Sequence, residues 1–165
     1  MSEALDGGHD SHPGDDQREE SGPPAPDGDA YSWYRRGLDL LSRGSAAAAA
    51  QLLERAAEAE PGSRSVLEAL GRAQFDAGRY AAAADSFRQI VEASPSDDYA
   101  QFGLGLALAR DGHPAAAAEH LALAAAMRPD LRHYTDALRG VRATLRARAD
   151  THPPASRPQD GEASL

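Results

Sequence analysis

Residues 71–95 read GRAQFDAGRYAAAADSFRQIVEASP. The same punctuation appears upstream at positions 37–61, in GLDLLSRGSAAAAAQLLERAAEAEP. It appears again downstream at positions 105–129, in GLALARDGHPAAAAEHLALAAAMRP. The step from 37 to 71 equals the step from 71 to 105. Glycine recurs at Gly37, Gly71 and Gly105, and again at Gly44, Gly78 and Gly112. Alanine recurs at Ala49, Ala83 and Ala117, a large apolar residue at Leu53, Phe87 and Leu121, and proline at Pro61, Pro95 and Pro129. Five rows with one period and no insertion mark a tandem repeat.

Each unit reads as a pair of helices. The first helices are predicted at about 31–43, 64–77 and 97–110, the second at about 46–60, 80–93 and 114–127. Gly44, Gly78 and Gly112 separate the two, because glycine accepts the positive φ of a helix C-terminus. Pro61, Pro95 and Pro129 end the second helices. Ser63, Ser96 and Asp130 offer N-cap oxygens to the helices that follow. Gly37 and Ala49, with their equivalents, allow close helix approach, and Leu53, Phe87 and Leu121 fill the seam. Each hairpin leaves an apolar face for the next repeat to cover. After the third, residues 131–149 place Tyr134, Leu138, Val141 and Leu145 on one helical face and Arg139, Arg142 and Arg146 on another. That helix is either a cap or the first helix of a degenerate fourth repeat.

The rest of the chain is compositionally different. The whole chain has 165 residues and a net charge of −9, with 36 alanines, no lysine and no cysteine. Arginine without lysine, beside so much alanine, is the signature expected of a GC-rich bacterial genome. Residues 1–29 hold nine acidic residues against one arginine, with Leu5 the only large aliphatic besides Met1. Residues 30–150 are neutral, 15 acids against 15 arginines. A segment so poor in apolar residues cannot offset its chain entropy by burial, so 1–29 and the proline-containing 151–165 are expected to be disordered tails. The folded domain is expected at 30–150, as repeats 30–63, 64–97 and 98–131 with the capping helix at 131–149.

The rows resemble tetratricopeptide repeats, three in tandem. The first unit matches through Trp33, Gly37, Gly44, Ala49, Leu53, Ala56 and Pro61; the second through Leu70, Gly71, Gly78, Tyr80, Ala83, Phe87 and Pro95; the third through Leu104, Gly105, Gly112, Ala117, Leu121, Ala124 and Pro129. Arg36, Gln101 and Ile90 depart from the pattern and imply locally different packing. The resemblance implies an all-α solenoid. It also implies a concave groove, lined by inward positions of the first helices, that holds an extended peptide or a helix.

Chemistry beyond binding finds little support in the sequence. The absence of cysteine excludes a disulfide framework, a Cys-ligated zinc and a thiol nucleophile. His113 and His120 do not have the i, i+4 spacing of a zinc helix, and read as surface residues. His9, His12 and Asp10 read as a solvated tail, not a metal site. Gly103-Leu104-Gly105 falls inside a helix by register, so it serves packing and not phosphate binding. Asp97 and Asp98 lie at a helix start, where they complement the helix dipole. No catalytic constellation, cofactor or metal is expected. The acidic balance argues against nucleic acid, and no run is long and apolar enough for a membrane span. The acidic, polar start gives no secretory signal, and a cytoplasmic protein is expected.

The groove remains. Register places Tyr31, Tyr34, Leu38 and Leu41 there from the first unit; Glu68, Arg72, Phe75 and Asp76 from the second; and Tyr99, Phe102, Leu106 and Arg110 from the third. The candidate partner-binding residues are Tyr31, Tyr34, Leu38, Arg72, Phe75, Tyr99, Phe102 and Leu106. Some proteins of the resembled family grip C-terminal carboxylates with a clamp of lysine, asparagine and arginine. The corresponding positions here are Tyr34, Leu38, Ala69, Tyr99 and Gly103, so that clamp is absent. The sequence therefore predicts a non-catalytic module that binds an apolar peptide or helix of a protein partner. The alternative is a scaffold whose groove is filled by a second copy, as a homodimer, or by its own tail.

Overall fold

A computed structural model describes residues 29–151. Among the described residues seven helices follow one another: α1 (Ala30–Ser42), α2 (Ala46–Ala59), α3 (Arg64–Asp76), α4 (Tyr80–Ala93), α5 (Asp98–Arg110), α6 (Pro114–Met127) and α7 (Arg132–Thr151). There is no strand among the described residues. The expectation of disorder at 1–29 and 151–165 falls, but for Asp29 and Thr151, outside the described residues.

The turn row behaves as its glycines require. Gly44, Gly78 and Gly112 have φ of 77°, 75° and 91°. In the middle unit Gly78 N donates to Phe75 O at 2.9 Å and Arg79 N to Gln74 O at 2.8 Å. These are the paired bonds of a Schellman C-terminus, and they satisfy carbonyls that α3 leaves unpaired. The same pair recurs after α1 and α5. Repetition of one turn gives repetition of one interhelical geometry.

The close-packing rows meet each other. A Cβ on Gly37 would lie 2.6 Å from Leu53 Cγ, one on Gly71 2.8 Å from Phe87 Cε2, and one on Gly105 2.6 Å from Leu121 Cγ. Each first helix thus has a notch into which the large residue of its own second helix fits. Ala49, Ala83 and Ala117 are fully buried beside these contacts. The core is accordingly a chain of three clusters, centred on Leu53, Phe87 and Leu121, and not one central mass. Each helix packs on its neighbours in sequence, and α1, α3, α5 and α7 also touch in succession. The first helices therefore form one continuous layer, which places the groove.

The last helix takes the place of a fourth first helix. It packs on α6 and reaches α5, as α5 packs on α4 and reaches α3. Leu138 stands one period after Leu104 and two after Leu70, and it is buried as they are. The two sequence alternatives merge: α7 is the first half of a fourth unit, and it serves as the cap. Its outer face carries exposed Arg132, Arg139, Arg142 and Arg146.

Helix starts differ from the expectation at each position. Asp97, not Ser96, caps α5, accepting from Ala100 N at 3.0 Å. Ser63 precedes α3 but makes no side-chain cap bond. Asp130 lies two positions before α7 and pairs instead with Arg128 at 2.7 Å. Asp97 also accepts from Arg64 Nε at 2.5 Å, and Arg64 Nη1 reaches Glu68 at 2.8 Å, so the starts of α3 and α5 are tied together. Burial pushes the Asp97 carboxyl up, but the bonds from Arg64 and Ala100 outweigh it and hold the group below the usual carboxylate range. A depressed folded value means the contribution is present above the ordinary aspartate pKa of about 4 and is lost as pH falls through the folded value. Asp97→Ala is expected to cost about 1–2 kcal/mol at pH 7. Urea unfolding at pH 7 and at pH 3 checks this, since the difference between the two proteins should shrink at the lower pH.

Candidate peptide-binding groove

Three first helices supply the walls of the concave side. Arg72, Phe75 and Asp76 come from α3, and Tyr99, Phe102, Gly103 and Leu106 from α5; together they surround a pocket of about 230 Å³. Five of the candidate residues read from sequence, namely Arg72, Phe75, Tyr99, Phe102 and Leu106, are therefore brought together. The floor comes from elsewhere. Phe87 of α4 is only 2% exposed, yet it lines the pocket because Gly103 places no side chain over it. Tyr99 meets the Phe87 ring edge-on at 6.3 Å.

Tyr34 and Leu38 of α1 lie one step along the same layer. They line a second depression, of about 380 Å³, with Arg64, Ser65, Glu68, Ala69 and Arg72. Arg72 belongs to both walls, so the two depressions adjoin at its side chain. Tyr31 stands apart from the aromatic pocket. It is 63% exposed and lines a smaller hollow, of about 200 Å³, with Tyr34, Glu60, Ser63 and Val66. Its ring faces the Arg35 guanidinium at 6.0 Å.

The charges in the groove are unequal in their freedom. Arg110 is held in place: it lies over Phe75 at 5.8 Å and Tyr80 at 5.2 Å, and its Nη2 donates to Tyr80 Oη at 3.0 Å. Arg64 and Glu68 are paired with each other. Arg72 and Asp76, by contrast, form no ion pair among the described residues and flank the aromatic pocket. Burial pushes the Tyr99 hydroxyl pKa up, so Tyr99 enters the pocket as a neutral phenol. The Phe87 pocket thus offers apolar area, the Tyr99 hydroxyl, and one positive and one negative side chain outside any ion pair.

Phe102 has a double allegiance that sequence register does not show. Its ring stacks on Tyr134 of α7 at 4.3 Å and 20°, and His133 meets it edge-on at 5.2 Å. The buried Tyr134 donates its hydroxyl to Asp98 Oδ2 at 2.9 Å. The capping helix thus closes one end of the groove and fixes Phe102 from behind. His120 is also more than a surface residue. It is half-buried, and its Nδ1 lies 2.8 Å from Gln101 Oε1, while Gln101 Nε2 donates to Pro95 O at 2.9 Å. Burial pushes the His120 pKa down. This chain of polar contacts explains the unexpected glutamine at 101: it joins the α4–α5 turn to α6. His113 is exposed.

No group of three or more His, Cys, Asp or Glu side chains able to hold a metal occurs among the described residues. His9 and His12 lie outside them. No described helix is long and apolar enough to cross a membrane.

A tetratricopeptide repeat family model matches residues 34–98 and 68–131. No curated protein matches the chain. Among solved structures, the first tetratricopeptide domain of Spaghetti, bound to the HSP90 peptide SRMEEVD, superposes with a TM-score of 0.66 at 18% identity, over 71% of this chain and 93% of that one. The Sgt2 domain from Aspergillus fumigatus gives 0.67 at 19% identity, over 87% of this chain and 98% of that one. MamA from Desulfovibrio magneticus gives 0.66 at 22% identity, over 75% and 68% respectively. At such identities the likeness concerns the fold alone. The family match spans more than half of the sequence and coincides with the repeat rows and the helical solenoid they build: the chain belongs to the tetratricopeptide repeat family.

Proposed function

We propose that this protein is a non-catalytic interaction module that holds an apolar peptide or helix of a partner protein in the concave groove. Proteins of this family typically act as interaction modules, and the Spaghetti domain is bound to a peptide. The observation that carries the reading is the open aromatic pocket formed by Phe75, Phe87, Tyr99, Phe102 and Leu106 beside an unpaired Arg72. Aromatic side chains already held by neighbours, as Phe75 is by Tyr80 and Phe102 by Tyr134, lose little entropy when a ligand arrives. At the positions of a carboxylate clamp stand Tyr34, Leu38, Ala69, Tyr99 and Gly103, which favour an apolar ligand face over a peptide terminus. A cytoplasmic setting belongs to the same proposal.

Selection of phage-displayed peptides against the full chain tests it. Enriched peptides should carry a bulky apolar residue, and Arg72→Glu combined with Phe75→Ala should weaken their binding at least tenfold. The helical circular dichroism of the variant should be retained, because Arg72 is exposed and Phe75 only half-buried. Peptides that bind the variant as well as the parent would overturn the groove reading. A tight dimer by light scattering, with the groove closed to every peptide, would favour the self-associating scaffold.

A further inference from the structure

The three repeats differ at one coordinated pair. Each large seam residue has a partner at a fixed offset, in the first helix of the next unit. These pairs are Leu53 with Ala69, Phe87 with Gly103, and Leu121 with Ala137. Leu53 and Ala69 share a core cluster, and Ala137 packs on the cluster of Leu121. In the middle unit the large residue is aromatic and the alanine is replaced by glycine. The aromatic goes with the glycine, since a Cβ at Gly103 would come within 2.6 Å of Phe87 Cε1. Their joint result is a notch in the groove wall with a phenyl ring as its floor, found where Arg72 and Asp76 flank the opening.

Such a notch suits one bulky aliphatic side chain, and the free Arg72 suits a carboxylate on a neighbouring residue. Asp76, one helical turn from Arg72, repels a carboxylate and so directs it to the Arg72 side. Glu3-Ala4-Leu5-Asp6 has this chemistry. Leu5 is the only large aliphatic between Ser2 and Asp29, and acids stand on both sides of it, at Glu3 and Asp6. The connecting stretch 6–28 is long enough to span up to about 80 Å. The notch lies only one to two helix diameters from α1, about 10–20 Å. Tethering further gives the segment a local concentration on the order of millimolar, so weak recognition suffices.

We infer that the Phe87-floored notch is a subsite for one aliphatic side chain beside a carboxylate, and that Glu3–Asp6 of the same chain, anchored by Leu5, occupies it. The segment then competes with any partner peptide. A partner with a better anchor displaces it, and the groove is shielded from weak apolar ligands until then. The inference rests on the groove as a binding surface but not on the identity of a partner.

Because the sequence has no cysteine, Ala4→Cys provides a unique site for a nitroxide label on the full chain. Paramagnetic broadening of amide signals should centre on Arg72, Phe75, Gly103 and Leu106, and spare Arg139 and Arg146. Adding Leu5→Ala should reduce the bound population about tenfold. Phe87→Leu with Gly103→Ala installs the pair used by both flanking repeats, and should preserve the fold while abolishing the broadening. The inference is overturned by broadening centred on the arginine face of α7, by broadening that survives Leu5→Ala, or by none in the groove. Broadening seen only when label and isotope are on separate molecules assigns the notch to a second copy and overturns it too. If the tail stays out while selected peptides still bind, the tail reading falls and the groove function stands; if neither binds, both fall.

Discussion

Replacing Phe87 by Ala is expected to destabilise the protein by about 3–5 kcal/mol in urea unfolding. The ring is buried between two glycines, with Gly71 behind it on α3 and Gly103 ahead on α5. Neither glycine has a side chain to fill the space left behind, so the cavity cannot collapse without backbone movement. The loss is large against the ~5–15 kcal/mol that a domain commonly has in total. It is also badly placed, because a solenoid is held by nearest-neighbour contacts and Phe87 lies in the cluster that joins the second unit to the third. Phe87→Leu with Gly103→Ala should cost far less, since it restores the packing pair of the flanking units. A change below about 1 kcal/mol for Phe87→Ala, the low end of core truncations, would contradict the seam described here.

Ending the chain after Leu131 is expected to have an effect of similar size. It removes Tyr134 and Leu138, both buried, and uncovers Leu121, Ala124, Phe102 and Leu106. Loss of the two buried side chains alone corresponds to about 3–6 kcal/mol, and the exposed face of the third repeat should promote association. Tyr134→Phe separates the ring from its hydroxyl. It keeps the stack on Phe102, leaves Asp98 without its 2.9 Å donor, and should cost only about 1 kcal/mol. Thermal melts of the three proteins check the order. A truncated chain that melts with the parent would show that α7 does not serve as a cap.

The fold was legible because its period is expressed in residues with a steric purpose. Gly37, Gly71 and Gly105 mark where a second helix comes closest, and Leu53, Phe87 and Leu121 mark what approaches. What stayed hidden depends on side-chain direction. Asp97 outcompetes Ser96 as a cap because α5 starts one position later than the proline suggests and Arg64 is within reach. Phe102 sits at a groove position by register, yet its ring also packs on Tyr134 and His133 of the capping helix, a contact that register alone does not show. His120 reads as a surface residue until Gln101 gives it a partner. The notch at Gly103 was readable in principle. Alanine stands at the equivalent positions 69 and 137, and the glycine falls in the row directly after the only aromatic seam residue, Phe87.

We propose the layer formed by α1, α3 and α5 as the binding surface, with the Phe87-floored pocket at its centre. The most direct measurement is a map of amide chemical-shift changes as a peptide selected against the full chain is titrated in. The largest changes should cluster on Arg72, Phe75, Tyr99, Gly103 and Leu106, extend toward Tyr34 and Leu38, and leave the outer positions of α2, α4 and α6 unmoved. Changes concentrated on those outer positions, or on the arginine face of α7, with the pocket residues silent, would contradict it.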